Sequence, residues 1–130
     1  MQSILIKDFM DSNPHAIHQD TSISEAVKML VTQQITGAPV IDDNKHLVGF
    51  VSEQDCIKEM LNDAFYHNES PSVKNVMSTN VKTVTPGTSL LHVAETMAKS
   101  PPKNYPVVEE SKLVGVISRR LVLKALCEIS

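Results

Sequence analysis

The amino-acid sequence predicts an α/β (α+β) fold made twice: two β-α-β-β-α repeats packed about a pseudo-two-fold axis. Three observations point there. An apolar run that stops at a serine and leads into a helical pattern occurs twice, as Leu47-Val48-Gly49-Phe50-Val51-Ser52-Glu53-Gln54-Asp55 and as Leu113-Val114-Gly115-Val116-Ile117-Ser118-Arg119-Arg120-Leu121. These runs lie 66 residues apart, and before them the offset is 67, the second copy having one residue fewer in its turn: Met10 matches Met77, Asn13 matches Asn80, Thr21-Ser22 matches Thr88-Ser89 and Pro39-Val40 matches Pro106-Val107. Each copy also alternates short apolar runs with one 3.6-period stripe. A unit of this length buries too little surface to be comfortable alone, so two copies are expected to cover each other and to leave two clefts.

Each element follows from a local pattern. Ile6 to Met10 and Val73 to Met77 read as single helical turns, and His15 to Ile17 and Lys82 to Val84 as brief extended pieces. Ile23, Ala26, Val27, Leu30 and Val31 fall on one helix face, with Ser22 and Glu25 spaced as a capping box that satisfies two free N–H groups. The second stripe is Leu90, Val93, Ala94, Met97 and Ala98. Hairpins follow: Ala38 to Ile41 and Leu47 to Ser52 flank the turn-forming Asp42-Asp43-Asn44-Lys45-His46, and Tyr105 to Val108 and Leu113 to Ser118 flank Glu109-Glu110-Ser111-Lys112. The second strand of each hairpin is apolar almost throughout, so cover on both faces is expected. A closing helix ends each copy, with apolar pairs Cys56-Ile57 and Met60-Leu61 mirrored by Val122-Leu123 and Leu126-Cys127. The boundaries are repeat one at 1–62, a polar linker at 63–72 into which Ala64-Phe65-Tyr66 extend the helix, and repeat two at 73–130.

Composition excludes several classes. The net charge of −3 and the lack of a Lys/Arg run argue against a general nucleic-acid or anionic-membrane binder. No apolar run approaches the roughly 20 residues that span a bilayer. The N-terminus lacks the basic and long apolar regions of a signal peptide, so a cytoplasmic location is expected. Cys56 and Cys127 replace core aliphatics of the other copy, which predicts two buried structural thiols. His15 and His18 fall three apart in an extended piece and so face opposite sides, which discounts a metal site, and His46, His67 and His92 read as surface residues. No nucleophile–base constellation and no phosphate-cradling glycine loop occurs, so no catalytic residue, cofactor or enzymatic activity is expected.

The motifs Thr21-Ser22-Ile23, Gly37-Ala38-Pro39-Val40-Ile41-Asp42 and Gly49-Phe50-Val51-Ser52-Glu53-Gln54-Asp55, with their counterparts Pro86-Gly87-Thr88-Ser89-Leu90, Tyr105-Pro106-Val107-Val108 and Gly115-Val116-Ile117-Ser118, resemble a tandem pair of CBS domains, or Bateman module. The chain is similar to free-standing bacterial CBS-pair proteins of the acetoin-utilisation accessory type. The resemblance implies a sensor that binds an adenosyl ligand (AMP, ADP, ATP or S-adenosylmethionine) in the cleft between the repeats, a homodimer, and a separate regulated protein. It places ribose on Ser52 and Asp55, where an ionised carboxylate is an acceptor for the paired 2′ and 3′ hydroxyl donors. A competing reading is that Asp55 serves only the positive end of its helix.

The resemblance also implies adenine beside Ala16, Ile17, Gly37, Ala38 and Pro39, where small residues would admit a flat ring; the competing reading is plain hairpin packing. Phosphate is assigned by the resemblance to Lys103, Arg119 and Arg120, with solvated surface charge as the bland reading. The opposite cleft has Leu121 at the ribose position and Thr36, Glu53 and Gln54 on its phosphate side, so one good site and one poor or empty one are expected. Tyr105 either stacks on a base or packs at an interface. The alternative function is a structural dimerisation module with a vestigial, ligand-free cleft.

Overall fold

The periodicities above build most of what is observed. A computed structural model of the chain describes residues 3–62 and 71–130. Most of the expected linker, with Ala64, Phe65, Tyr66 and His67, lies outside the described residues. Two compact units form, one from residues 15–81 and one from residues 1–14 with 82–130.

In the 15–81 unit, β1 (Ile17–His18), β2 (Gly37–Ile41) and β3 (Leu47–Ser52) make one sheet in that order, joined by α1 (Ile23–Gln33) and followed by α2 (Glu53–Met60). β1 runs parallel to β2, and β3 antiparallel to it, with Gly37 opposite Ser52, Ala38 opposite Val51 and Pro39 opposite Phe50. A 3-10 turn at Val73–Asn75 closes the unit: Val73 N donates to the Thr21 carbonyl at 2.8 Å, and Ser78 exchanges both backbone bonds with Phe50 at 2.9 Å. The core is Ile17, Ile23, Ala26, Leu30, Ala38, Val40, Val51, Cys56 and Val73.

The other unit repeats the plan. Its elements are a 3-10 turn at Ile6–Asp8, α3 (Leu90–Lys99), β4 (Asn104–Glu109), β5 (Lys112–Ser118) and α4 (Arg119–Ile129). β4 and β5 are antiparallel, with Tyr105 opposite Ile117 and Asn104 opposite Ser118. The extended piece expected at Lys82 to Val84 is reduced to a bridge between Val84 and Val107. Asp11 exchanges backbone bonds with Val116, and Ile6, with no exposure, is part of the core made by Leu90, Val93, Tyr105, Val107, Ile117, Val122 and Ala125. Each leading segment therefore folds with the body of the other repeat. A Cβ at Gly49 would sit 2.5 Å from Met77 Sδ and 2.8 Å from the Ser78 carbonyl, and one at Gly115 would sit 2.8 Å from both Met10 Sδ and the Asp11 carbonyl. The matching glycines are the places where those segments cross the strands.

Several expectations are corrected. Val31 is 71% exposed and Ala98 is also exposed, because each continues its stripe past the width that the sheet covers. Ser22 Oγ accepts from Glu25 N at 3.2 Å, so the Ser22 half of the expected box forms and, among the described residues, the reciprocal half does not. Cys127 is exposed and, of the two cysteines, Cys56 is buried: Cys127 lies in the last turn of α4, past Ala125, the last residue of that helix buried in its own unit's core. His15 precedes β1, leaving His18 alone of the pair in a strand. Tyr105 neither stacks outward nor lies on a surface; it is 4% exposed, inside the core of its own unit.

Candidate functional site

The strand-to-helix junction at Ser52 is fixed by a reciprocal pair of bonds. Asp55 N donates to Ser52 Oγ at 3.1 Å, and Ser52 N donates to Asp55 Oδ2 at 2.9 Å. This is a capping box: it satisfies free N–H groups at the start of α2 while holding the carboxylate in one orientation. Both side chains are half-buried. Oδ2 has a backbone partner; Oδ1 and the Ser52 hydroxyl proton are left able to accept and donate. The helix-end reading of Asp55 is thus correct as far as it goes, and one oxygen is enough for it.

Gly37 pairs directly with Ser52, which places the β2 residues Gly37, Ala38 and Pro39 beside the junction. Packing, one of the two readings expected for them, accounts for their smallness. A Cβ at Gly37 would meet Phe50 Cε1 at 2.6 Å, and Ala38 and Ile17 are core residues. What this sheet can present to a ligand is chiefly backbone. Gln19 N donates to the Ile41 carbonyl, which sets the phase of the β1–β2 pairing: Ile17 and Gln19 turn their backbone groups toward β2, and Ala16 and His18 turn theirs outward. An adjacent carbonyl and amide at an open sheet edge match the donor and acceptor pair on one edge of adenine.

The junction at Ser118 has the same backbone. Arg119 N donates to the Lys103 carbonyl at 3.0 Å, as Glu53 N donates to the Thr36 carbonyl at 2.9 Å. Leu121 N donates to Ser118 Oγ at 3.2 Å. The chemistry differs. Leu121 has no acceptor and packs against the core. Lys103, Arg119 and Arg120 are exposed, and among the described residues none is ion-paired. Sequence reasoning named these residues but missed the backbone bond that brings 103 and 119 together, since strand register was not legible from spacing.

Burial raises the Cys56 thiol above its ordinary pKa, and the neighbouring Asp55 and Glu53 carboxylates add to this, so it is held as a neutral core group. A second polar cluster lies at the far end of the same sheet: His18 Nε2 meets Asp43 Oδ1 at 2.6 Å, and Lys74 Nζ meets Asp20 Oδ1 at 2.8 Å. Because Asp20 N donates to His18 Nδ1, the neutral ring carries its proton on Nε2 and donates to Asp43.

A family model for the CBS domain matches residues 6–62 and again 73–128. The chain belongs to the CBS-domain family. Among solved CBS proteins, CBSX2 of Arabidopsis thaliana in complex with AMP is 31% identical, with a TM-score of 0.85 over 96% of this chain and 97% of that one. The Vibrio cholerae protein assigned to acetoin utilization (AcuB) is 27% identical, with a TM-score of 0.88 over 98% and 93%. The CBS domain pair of protein MJ0100, solved with 5′-methylthioadenosine and S-adenosyl-L-methionine, is 25% identical, with a TM-score of 0.80 over 99% and 100%. The CBS pair spans less than half the length of the first curated relatives it matches, 42%, 21% and 22% of them. Among the described residues no helix is long and apolar enough to cross a membrane.

Proposed function

We propose that this CBS pair is a regulatory module of the cytoplasm, without catalytic activity of its own, that binds an adenosyl ligand of the AMP, ADP or ATP class and passes that signal to a separate protein. Ribose is assigned to Ser52 and Asp55, adenine to the backbone around Ala16, Ile17, Gly37, Ala38 and Pro39, and phosphate to Lys103, Arg119 and Arg120. One observation carries the reading: the capping box orients Asp55 through Oδ2 and leaves Oδ1 and the Ser52 hydroxyl for a diol. AMP in CBSX2, and 5′-methylthioadenosine and S-adenosyl-L-methionine in MJ0100, support the adenosyl class.

The test separates binding from capping. In Asp55→Asn the amide oxygen keeps the bond from Ser52 N but loses the charge, whereas Asp55→Ala loses both. Loss of charge-assisted bonds of roughly 1.5–3 kcal/mol should weaken nucleotide binding about 10- to 100-fold in both variants. Only Asp55→Ala should also lose the cap, at about 1 kcal/mol of stability. Calorimetry in which Asp55→Asn binds AMP as tightly as wild type would sink the ribose assignment.

A second reading, a homodimerisation module without a ligand, is favoured by the apolar residues left on the closing helices. Ile57 is 57%, Leu61 76% and Leu123 67% exposed. Exposed apolar residues of this size are costly unless covered, and two-fold dimers are the commonest cover. Sedimentation should find a dimer at tens of micromolar that Leu61→Lys or Leu123→Lys weakens; a wild-type species of 14.3 kDa would count against self-association.

A further inference from the structure

Met10 and Met77 occupy matching positions of the two copies, and each packs on a matching strand glycine inside its own unit. Met77 lies against Gly49 of β3 in the 15–81 unit, and Met10 against Gly115 of β5 in the unit of residues 1–14 and 82–130. Each thioether takes the space that a side chain on the glycine would need. A Cβ at Gly49 would lie 2.5 Å from Met77 Sδ and 2.9 Å from its Cγ; one at Gly115 would lie 2.8 Å and 3.3 Å from the same atoms of Met10. The amide of Met77 donates to the Val73 carbonyl and that of Met10 to the Ile6 carbonyl, both at 2.9 Å, and Val73 and Ile6 are fully buried. The next residue then bridges to the strand, Ser78 to Phe50 and Asp11 to Val116. Each sulfur therefore sits between a core anchor and a backbone bridge. Packing alone does not call for sulfur there, since leucine has a similar volume. What sets a thioether apart is that it is oxidised. Both methionines are half-buried, so part of each is open to solvent. Neither site suits a sulfoxide. At each glycine the sulfur and a carbonyl oxygen, that of Ser78 or Asp11, lie within 2.8 Å of the same point. A sulfoxide oxygen would bring a second acceptor and extra bulk to a place with no room for either.

We infer that Met10 and Met77 form a paired oxidation site, through which a hydroperoxide loosens the leading segments from β3 and β5. The thioether sulfur attacks a peroxide oxygen; the S–O bond forms, the O–O bond breaks, sulfur gives up two electrons, and the peroxide leaves as water or an alcohol. The new oxygen turns to solvent and draws the side chain off the glycine. The bridges at Phe50 and Val116 then open, while the anchors Val73 and Ile6 stay in their cores. A thiol-dependent sulfoxide reductase restores the thioether and with it the contact.

Treating the full chain with hydrogen peroxide, then reading peptide masses and amide exchange, tests this. One oxygen should be gained at Met10 and one at Met77, and exchange in β3 and β5 should become roughly 10- to 100-fold faster. Methionine sulfoxide reductase should return both to the starting state. The variant M29L/M60L/M97L removes partly buried methionines of α1, α2 and α3 and keeps the pair, so it should respond as wild type does. The variant M10L/M77L conserves volume and should keep its protection under peroxide. Three results would each overturn the inference: Met10 and Met77 staying thioethers while the helix methionines oxidise, sulfoxides at both with exchange unchanged, or the same loosening in M10L/M77L. The first two are read on wild type and on M29L/M60L/M97L, so they stand whether or not M10L/M77L folds.

Discussion

Tyr105 shows how one side chain can decide a neighbourhood. Its hydroxyl is buried and, among the described residues, finds no hydrogen-bond partner. The ring fills the core position that Ala38 fills with a methyl in the other unit, so the packing gain is real and the hydroxyl is a liability. An unpartnered buried hydroxyl costs about 1–3 kcal/mol, so Tyr105→Phe should raise stability by about 1 kcal/mol. A fall in melting temperature would instead show that the hydroxyl is bonded. Asp20 gives a prediction of a different kind. The hydrogen bond from Lys74 holds its carboxyl below the usual carboxylate range; the charges of Lys74 and His18 act the same way, and burial opposes them. A depressed folded value means that the contribution is present above the unfolded value and is lost as pH falls through the folded one. Between about pH 5 and pH 2, wild type should therefore lose more stability than Asp20→Asn. The difference should shrink in high salt, because the pair is exposed. Equal melting curves across that range would refute the assignment.

The strands and turns depend on their glycines to different degrees. Gly49 lies in β3 under Met77 and Ser78, with backbone on one side and a thioether on the other. Gly49→Ala forces one of them to shift and should cost about 1–3 kcal/mol. At Gly87 an added Cβ would meet nothing within 4 Å, so Gly87→Ala should be neutral or slightly stabilising, by up to about 1 kcal/mol. Chemical denaturation of the two variants checks the pair; equal losses would mean that the close crossing at Gly49 is absent. The helices were largely legible in the sequence, because a stripe such as Ile23, Ala26 and Leu30 is a local signal. Its far edge was not. Whether Val31 or Leu61 is covered depends on how wide a surface the sheet offers, which spacing does not state.

The exchange of leading segments governs stability across the chain. Ile6 belongs to the first repeat by sequence, yet it is fully buried in the core made by residues 82–130. Ile6→Ala should cost about 2–5 kcal/mol, and the cost should fall on the wrong repeat by sequence. Amide exchange should accelerate in β4 and β5 more than in β2 and β3. Acceleration confined to residues 15–81 would contradict the arrangement.

The order of residues established the duplication, the hairpins, the helix stripes and the Ser52–Asp55 and Ser118–Leu121 junctions. Each is written in neighbours a few positions apart: a cap needs a serine hydroxyl to accept from the amide three residues on, and a stripe needs a 3.6-residue period. Tertiary structure alone decided which body each leading segment joins, which face of α2 and α4 stays open, and that Tyr105 turns inward. Those outcomes rest on pairings across long stretches of chain, such as Asp11 with Val116 and Ser78 with Phe50. Two hairpins of like register offered like partners, and local preference could not choose between them. The choice came from whole surfaces meeting, where a glycine in one strand leaves room for a methionine from the other repeat.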